Sequence, residues 1–92
     1  MIKSFRDKDA QALAQRRRVA KFQSCERAAQ RRLRELDIAT TLSDLAAIPG
    51  NHLEALKGDR TGQHSIRIND QFRICFVWKD GDAHDVEIVD YH

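Results

Sequence analysis

The chain has 92 residues, enough for one domain with a single modest core and too few for two. With 41% hydrophobic and 33% charged residues, one Pro and four Gly, the composition excludes a disordered tail and a long flexible linker. No apolar run is long enough to span a bilayer, and Met1-Ile2-Lys3-Ser4-Phe5-Arg6 lacks the apolar stretch of a secretion signal, so a cytoplasmic protein is expected.

Ile2–Phe5 reads as a short first strand. From Asp7 the pattern turns helical: Ala10, Leu13 and Ala14 share a face, and Asp7 or Asp9 stands at the start, where an acid suits the helix dipole. The pattern breaks near Lys21–Ser24. Ser24 is positioned to cap a second helix, in which Cys25, Ala29, Leu33 and Leu36 recur at spacings of four, four and three. Arg27, Arg31 and Arg34 fall on the other face of that helix. Thr41-Leu42-Ser43-Asp44 opens a short third helix, which Pro49-Gly50-Asn51 stops.

The period then changes to two. Gln63–Ile68 alternates polar and apolar residues, and Asn69-Asp70 supplies a tight turn. In the next strand Phe72, Ile74, Phe76 and Trp78 point one way, and Arg73, Cys75 and Val77 the other. Asp80-Gly81 marks a second hairpin, which leads into a last strand over about Ala83–Val89. Helices followed by an antiparallel meander make an α+β domain: a sheet covered by helices on one face and open on the other, with Arg73 projecting onto the open face.

Charge is lopsided although the net is only +2. Residues 1–34 hold eleven Lys/Arg against three acids, and residues 35–92 hold five against eleven. A positive half of this kind attracts phosphate backbones, whereas a run such as Arg16-Arg17-Arg18 or Arg31-Arg32-Arg34 is by itself an ordinary solvated face. Cys25 and Cys75 read as small buried thiols. His52, His64, His84 and His92 lack a zinc-type spacing, and no Ser lies in a nucleophile-like turn, so neither a metal site nor Ser-His-Asp chemistry is expected.

Three polar clusters can carry chemistry. Leu56-Lys57-Gly58-Asp59-Arg60-Thr61-Gly62 is a tight basic loop, able to hold phosphate or to be a plain solvated turn. Arg73, alone in an apolar strand, is suited either to bind a phosphate and stabilise transition-state charge or to pair with a neighbouring strand acid such as Glu87 or Asp85. Asp90-Tyr91-His92 brings together a carboxylate, an aromatic ring and an imidazole directly after a strand, although chain ends commonly fray.

Taken together, Leu56-Lys57-Gly58-Asp59-Arg60, Gly62, His64–Asn69, Phe72–Phe76 and Val89-Asp90-Tyr91-His92 resemble HigB-type toxins, the plasmid-maintenance killer proteins of the RelE/ParE superfamily. Met1–Phe5, Leu36–Leu42 and Asp44-Leu45 look similar too. The likeness therefore spans nearly the whole chain and is weakest over 7–34.

The resemblance implies a single RelE-like domain over 1–92. A short N-terminal strand and two to three helices would pack on one face of a mainly antiparallel, curved sheet of four to five strands. It further implies a ribosome-dependent messenger RNA endonuclease that needs no metal or other cofactor and lets the RNA's own 2′-hydroxyl attack the adjacent phosphate. Its partners would be a HigA-like helix-turn-helix antitoxin, the ribosome and mRNA, with operator DNA reached only through the antitoxin complex and no membrane involved.

Carried over by position, Asp90 and His92 serve proton transfer, Tyr91 orients or stacks a base, and Arg73 stabilises charge on the phosphate. Lys57, Arg60, His64 and Arg67 contact RNA. Glu54 stands where some relatives carry His, and His52 lies two residues earlier, on the same side if the segment is extended. Either Glu54 takes over as base or that role is reduced. The alternatives are a ParE-like toxin that binds gyrase without catalysis, and a protein acting only as co-repressor within its antitoxin complex.

Overall fold

The computed structural model describes residues 1–90. It contains helices α1 (Lys8–Ala14), α2 (Glu26–Ile38) and α3 (Leu42–Ala46), and strands β1 (Glu54–Ala55), β2 (His64–Arg67), β3 (Phe72–Lys79) and β4 (Asp82–Asp90). The strands form one antiparallel sheet in the order β1-β2-β3-β4. Residues 1–6 extend the sheet beyond β4 in parallel, through Lys3 N–H to Ala83 O at 2.8 Å and Arg6 N–H to Val86 O at 2.9 Å. The expected first strand thus exists as two isolated bridges.

A bulge lets this added strand follow the twist of β4. Cys75 pairs with Glu87 and Val77 with His84, so β4 places two residues opposite Phe76, and Asp85 takes a φ of 52°. The Ser4 hydroxyl accepts the Asp85 N–H at 2.9 Å. At the β3–β4 hairpin Asp80 and Gly81 both have positive φ, the twist that a two-residue connection between right-handed strands requires. The β2–β3 connection is wider than a two-residue turn, because the Asn69 side chain accepts the N–H groups of both Gln71 and Phe72.

Helices α1 and α2 cover one face of the sheet. Leu13, Phe22, Leu36, Leu45, Ile66, Ile74, Phe76 and Val86 are fully buried in the resulting core. Asp7 caps α1 by accepting the Ala10 N–H at 2.7 Å. Ser24 does not cap α2 as its sequence position suggests. Residues Ala20–Cys25 are wound as a 3-10 turn that leads directly into α2, fixed by Phe22 packed edge-on against Phe72 at 5.3 Å. Cys25, Ala29, Leu33 and Leu36 bury the predicted stripe, and Arg27, Arg31 and Arg34 are exposed. Arg32 breaks the pattern of a solvated basic run: it is buried and paired with Glu35 at 3.0 Å.

Helix α3 opens with a capping box. Asp44 accepts from the N–H and hydroxyl of Thr40 and the N–H of Thr41, while the Thr41 hydroxyl accepts the Asp44 N–H at 3.1 Å. These bonds, led by that from the Thr40 backbone, hold the Asp44 carboxyl below the usual carboxylate range. A lowered folded-state pKa adds stability that is fully present above the unfolded value and is lost as pH falls through the folded one. Urea midpoints followed from pH 7 downward are therefore expected to separate wild type from Asp44→Asn at neutral pH, and the gap should close below about pH 4. A gap constant with pH would contradict the capping role.

Past α3, Gly50 adopts φ 85°, and a Cβ there would meet Arg32 Nη2 at 2.9 Å. Gly50→Ala combines backbone strain with that clash and is expected to cost about 1–3 kcal/mol, or roughly 4–8 °C in Tm for each kcal/mol in a domain this size. An unchanged Tm would contradict both the strain and the clash.

Candidate active site

The second face of the sheet carries the polar residues, and it is not the open surface that the sequence suggests. Arg73 is only 8% exposed, and Ser65 and Cys75 are completely buried. The His52 carbonyl and Glu54 lie against Arg73, and the loop between β1 and β2 reaches the same face. Gly58 and Gly62 take positive φ, Leu56 buries its side chain, and Arg60 reaches back to Glu87 Oε1 at 2.6 Å and to Gln63 Oε1 at 3.0 Å. Glu87 also faces Arg6 at 3.9 Å. Burial, the largest influence, pushes the Cys75 thiol up. Arg60 and Arg73 act against it and Glu87 with it, so Cys75 is an inert thiol as expected.

Arg73 is the centre of this face. Its position in β3 is opposite Arg67 of β2 and Val89 of β4. Its Nε donates to Ser65 Oγ at 2.8 Å, and Nη2 donates to the His52 carbonyl at 2.6 Å and the Ser65 carbonyl at 3.4 Å. Among the described residues, the carboxylate paired with its guanidinium is Glu54, with Oε1 at 3.4 Å from Nη2. Neither Glu87 nor Asp85 fills that place: Glu87 pairs with Arg60, and Asp85 lies at the bulge beside Ser4. Glu54 is half exposed on the edge strand β1.

His52 does not lie in an extended segment. It takes φ 46°, and its carbonyl, not its imidazole, meets Arg73. The neighbouring Asn51 holds this loop. It is fully buried, donates through Nδ2 to the Leu45 carbonyl at 3.1 Å, and accepts the Arg67 N–H on its own carbonyl at 2.6 Å. Sequence reading missed Asn51 and Ser65. An Asn after Pro-Gly reads only as turn chemistry, and one Ser in an alternating strand carries no visible signal.

Lys57 is exposed on the loop just after β1. Arg67 borders Arg73 and pairs with Asp70. His64 is not on this face. Its place in the register is opposite Phe76, on the helix-covered side, and its ring stacks on Phe76 at a centroid distance of 6.2 Å. His64 Nδ1 is buried with no hydrogen-bond partner among the described residues. Asp90 is opposite Phe72 in the register, so its side chain leaves β4 on the side away from Arg73, and Oδ2 accepts from Gln71 Nε2 at 3.2 Å. Tyr91 and His92 lie outside the described residues.

The arrangement is a buried, oriented guanidinium beside a partly exposed carboxylate, with cations on the loop and strand that flank them. Such a set suits a reaction that builds negative charge on a phosphate and moves a proton nearby.

Comparison with known proteins points the same way. The family described as RelE-like toxin of type II toxin–antitoxin system HigB matches residues 3–92. Toxin HigB-1 of Vibrio cholerae serotype O1 is 48% identical over 60 residues, a match covering 65% of this chain and 63% of that toxin. Endoribonuclease HigB of Proteus vulgaris is 35% identical over 94 residues and is covered in full, as is this chain. Among solved structures, the YoeB–YefM toxin–antitoxin heterotetramer from Staphylococcus aureus contains a chain similar in fold, with a TM-score of 0.63 at 21% identity, covering 100% of this chain and 98% of that one. The YoeB dimer from the same organism gives a TM-score of 0.55 at 20% identity, covering 99% and 97%.

Proposed function

This chain belongs to the HigB family of RelE-like toxins of type II toxin–antitoxin systems, and from that premise we propose that it is a ribosome-dependent messenger RNA endoribonuclease, restrained by a HigA-like antitoxin. The observation that carries the reading is Arg73, pinned by Ser65 and the His52 carbonyl with Glu54 3.4 Å away.

In the proposed reaction the 2′-oxygen of the messenger attacks the adjacent phosphorus, the bond from phosphorus to the 5′-oxygen breaks, and a 2′,3′-cyclic phosphate and a 5′-hydroxyl form. One group must take the 2′-proton and one must give a proton to the leaving 5′-oxygen. We assign the part of base to Glu54, which lies beside Arg73, and the part of acid to His92. Asp90, which leaves β4 on the far side from Arg73, is assigned to the rim of the site, and Tyr91 to stacking on a base. Arg73 stabilises the extra negative charge of the phosphorane.

Lys57 and Arg67 hold flanking phosphates. Arg60 joins them only where RNA competes with Glu87 for its guanidinium. A small catalytic set suffices because the ribosome supplies orientation. The exposed Arg27, Arg31 and Arg34 of α2, on the opposite layer, grip ribosomal RNA, and operator DNA is reached only within the antitoxin complex. The site of action is the cytoplasm, where translation occurs.

Purified toxin added to a translating extract tests this. Cuts within codons of a translated message, absent when translation is blocked and suppressed by antitoxin, are the expected result. Growth arrest without cleavage, accompanied by DNA damage, would replace the reading with gyrase inhibition.

A further inference from the structure

We propose that Ser65 is a positioning residue for the cleavage step: its buried hydroxyl, with the His52 carbonyl, sets the plane in which the Arg73 guanidinium meets phosphate. The inference rests on the endoribonuclease reading and adds to it a residue that touches no substrate.

The geometry is specific. An arginine guanidinium is planar, so fixing two of its nitrogens fixes the direction of all its N–H groups. Ser65 Oγ accepts from Nε at 2.8 Å and the His52 carbonyl accepts from Nη2 at 2.6 Å, one bond on the inner nitrogen and one on an outer nitrogen. The two acceptors come from different elements, β2 and the α3–β1 loop. The loop acceptor is aimed by a left-handed φ of 46° at His52. That conformation is uncommon outside Gly, although His, like Asn and Asp, adopts it more readily than most, and here the neighbouring Asn51 is buried and bonded to both Leu45 and Arg67. Ser65 has no exposure, so its hydroxyl meets Arg73 away from bulk solvent. Glu54 alone does not orient the plane: it approaches Nη2 at 3.4 Å from a half-exposed edge strand.

A purely structural Ser65 would satisfy a buried Nε and do nothing else. The two roles separate in a double-mutant cycle on ribosome-bound message under single-turnover conditions. Ser65→Ala is expected to lower the cleavage rate about 10- to 100-fold, as a small misplacement of a charge-stabilising group does, while affinity for the programmed ribosome stays unchanged. In an Arg73→Ala background the same substitution is expected to change the rate no further, because nothing is left to position. Ser65→Thr keeps the hydroxyl and should recover most of the rate, and thermal melting identifies the folded variants to be compared.

A rate unaffected by Ser65→Ala, an equal loss in both backgrounds, or a loss confined to ribosome affinity overturns the inference. If Ser65→Ala does not fold, Ser65→Cys, nearly isosteric but a much weaker acceptor, must show the same background-dependent loss or the inference falls. Wild-type protein that never cuts translated RNA overturns the endoribonuclease reading, and this inference with it. Wild type that cuts and Arg73→Ala that does not, with Ser65→Ala fully active, overturns the positioning role alone.

Discussion

Arg73→Ala is expected to reduce cleavage of translated message by about 10²–10³-fold, the loss that follows removal of one preorganised donor to a developing oxyanion. Arg73→Lys should recover little of it. A lysine keeps the charge but offers a rotating ammonium, without a planar fork to match Ser65 Oγ and the His52 carbonyl together. The alanine variant also leaves the buried Ser65 hydroxyl and the partly buried His52 carbonyl without their donor, so a stability loss of about 1–3 kcal/mol accompanies the loss of activity. The two effects are separated by measuring antitoxin binding and the urea midpoint on the same preparation. A folded Arg73→Ala protein that binds antitoxin and still cuts at the wild-type rate would remove Arg73 from the chemistry.

Glu54→Gln carries the second large effect, and it discriminates more cleanly because the fold scarcely depends on Glu54. The side chain is 54% exposed, and its contact with Arg73 is 3.4 Å long. Breaking an ion pair so open to solvent costs under about 1 kcal/mol. As a general base, however, a carboxylate contributes about 10²–10⁴-fold, so the cleavage rate should fall by at least about 10² while Tm holds. Glu54→His places another proton acceptor at the same point on β1 and is expected to retain substantial activity. If glutamine at 54 cleaves as fast as glutamate, proton transfer belongs to other groups and Glu54 only tethers Arg73.

The alternating strand Phe72–Trp78 and the α2 stripe Cys25, Ala29, Leu33 and Leu36 were legible because each repeats at the period of its element, and the core face follows from the period. Thr41 with Asp44 was legible as a capping box because the signal is entirely local. The burial of Arg73 was not, because the groups that meet it carry no periodicity: the His52 carbonyl arrives from 21 positions away, and on the same face Arg60 finds Glu87 across 27 positions of sequence. His64 looked like a strand residue facing RNA, but one step of register decides its face, and β2 pairs so that it stacks on Phe76. The same parity places Asp90 beside Phe72 rather than Arg73. Ser24 failed as a cap because the 3-10 turn anchored by Phe22 had already set the entry to α2.

The site itself was half visible. Arg73 stood out as a charge in an apolar strand, and Glu54 only through the resemblance, at the position where some relatives carry His. Ser65, Asn51 and the His52 carbonyl define where Arg73 points, yet two of them act through backbone carbonyls that residue type does not encode.

The central claim is that a charge-stabilising arginine and a nearby proton acceptor promote attack by the messenger's own 2′-oxygen. Analysis of the RNA ends produced on the ribosome tests it most directly. The account predicts a 5′-hydroxyl on the downstream fragment, a 2′,3′-cyclic phosphate or its opened phosphate on the upstream one, and no cutting where the scissile nucleotide is 2′-deoxy. A 5′-phosphate on the downstream fragment, or cleavage that survives the deoxy substitution, would contradict it.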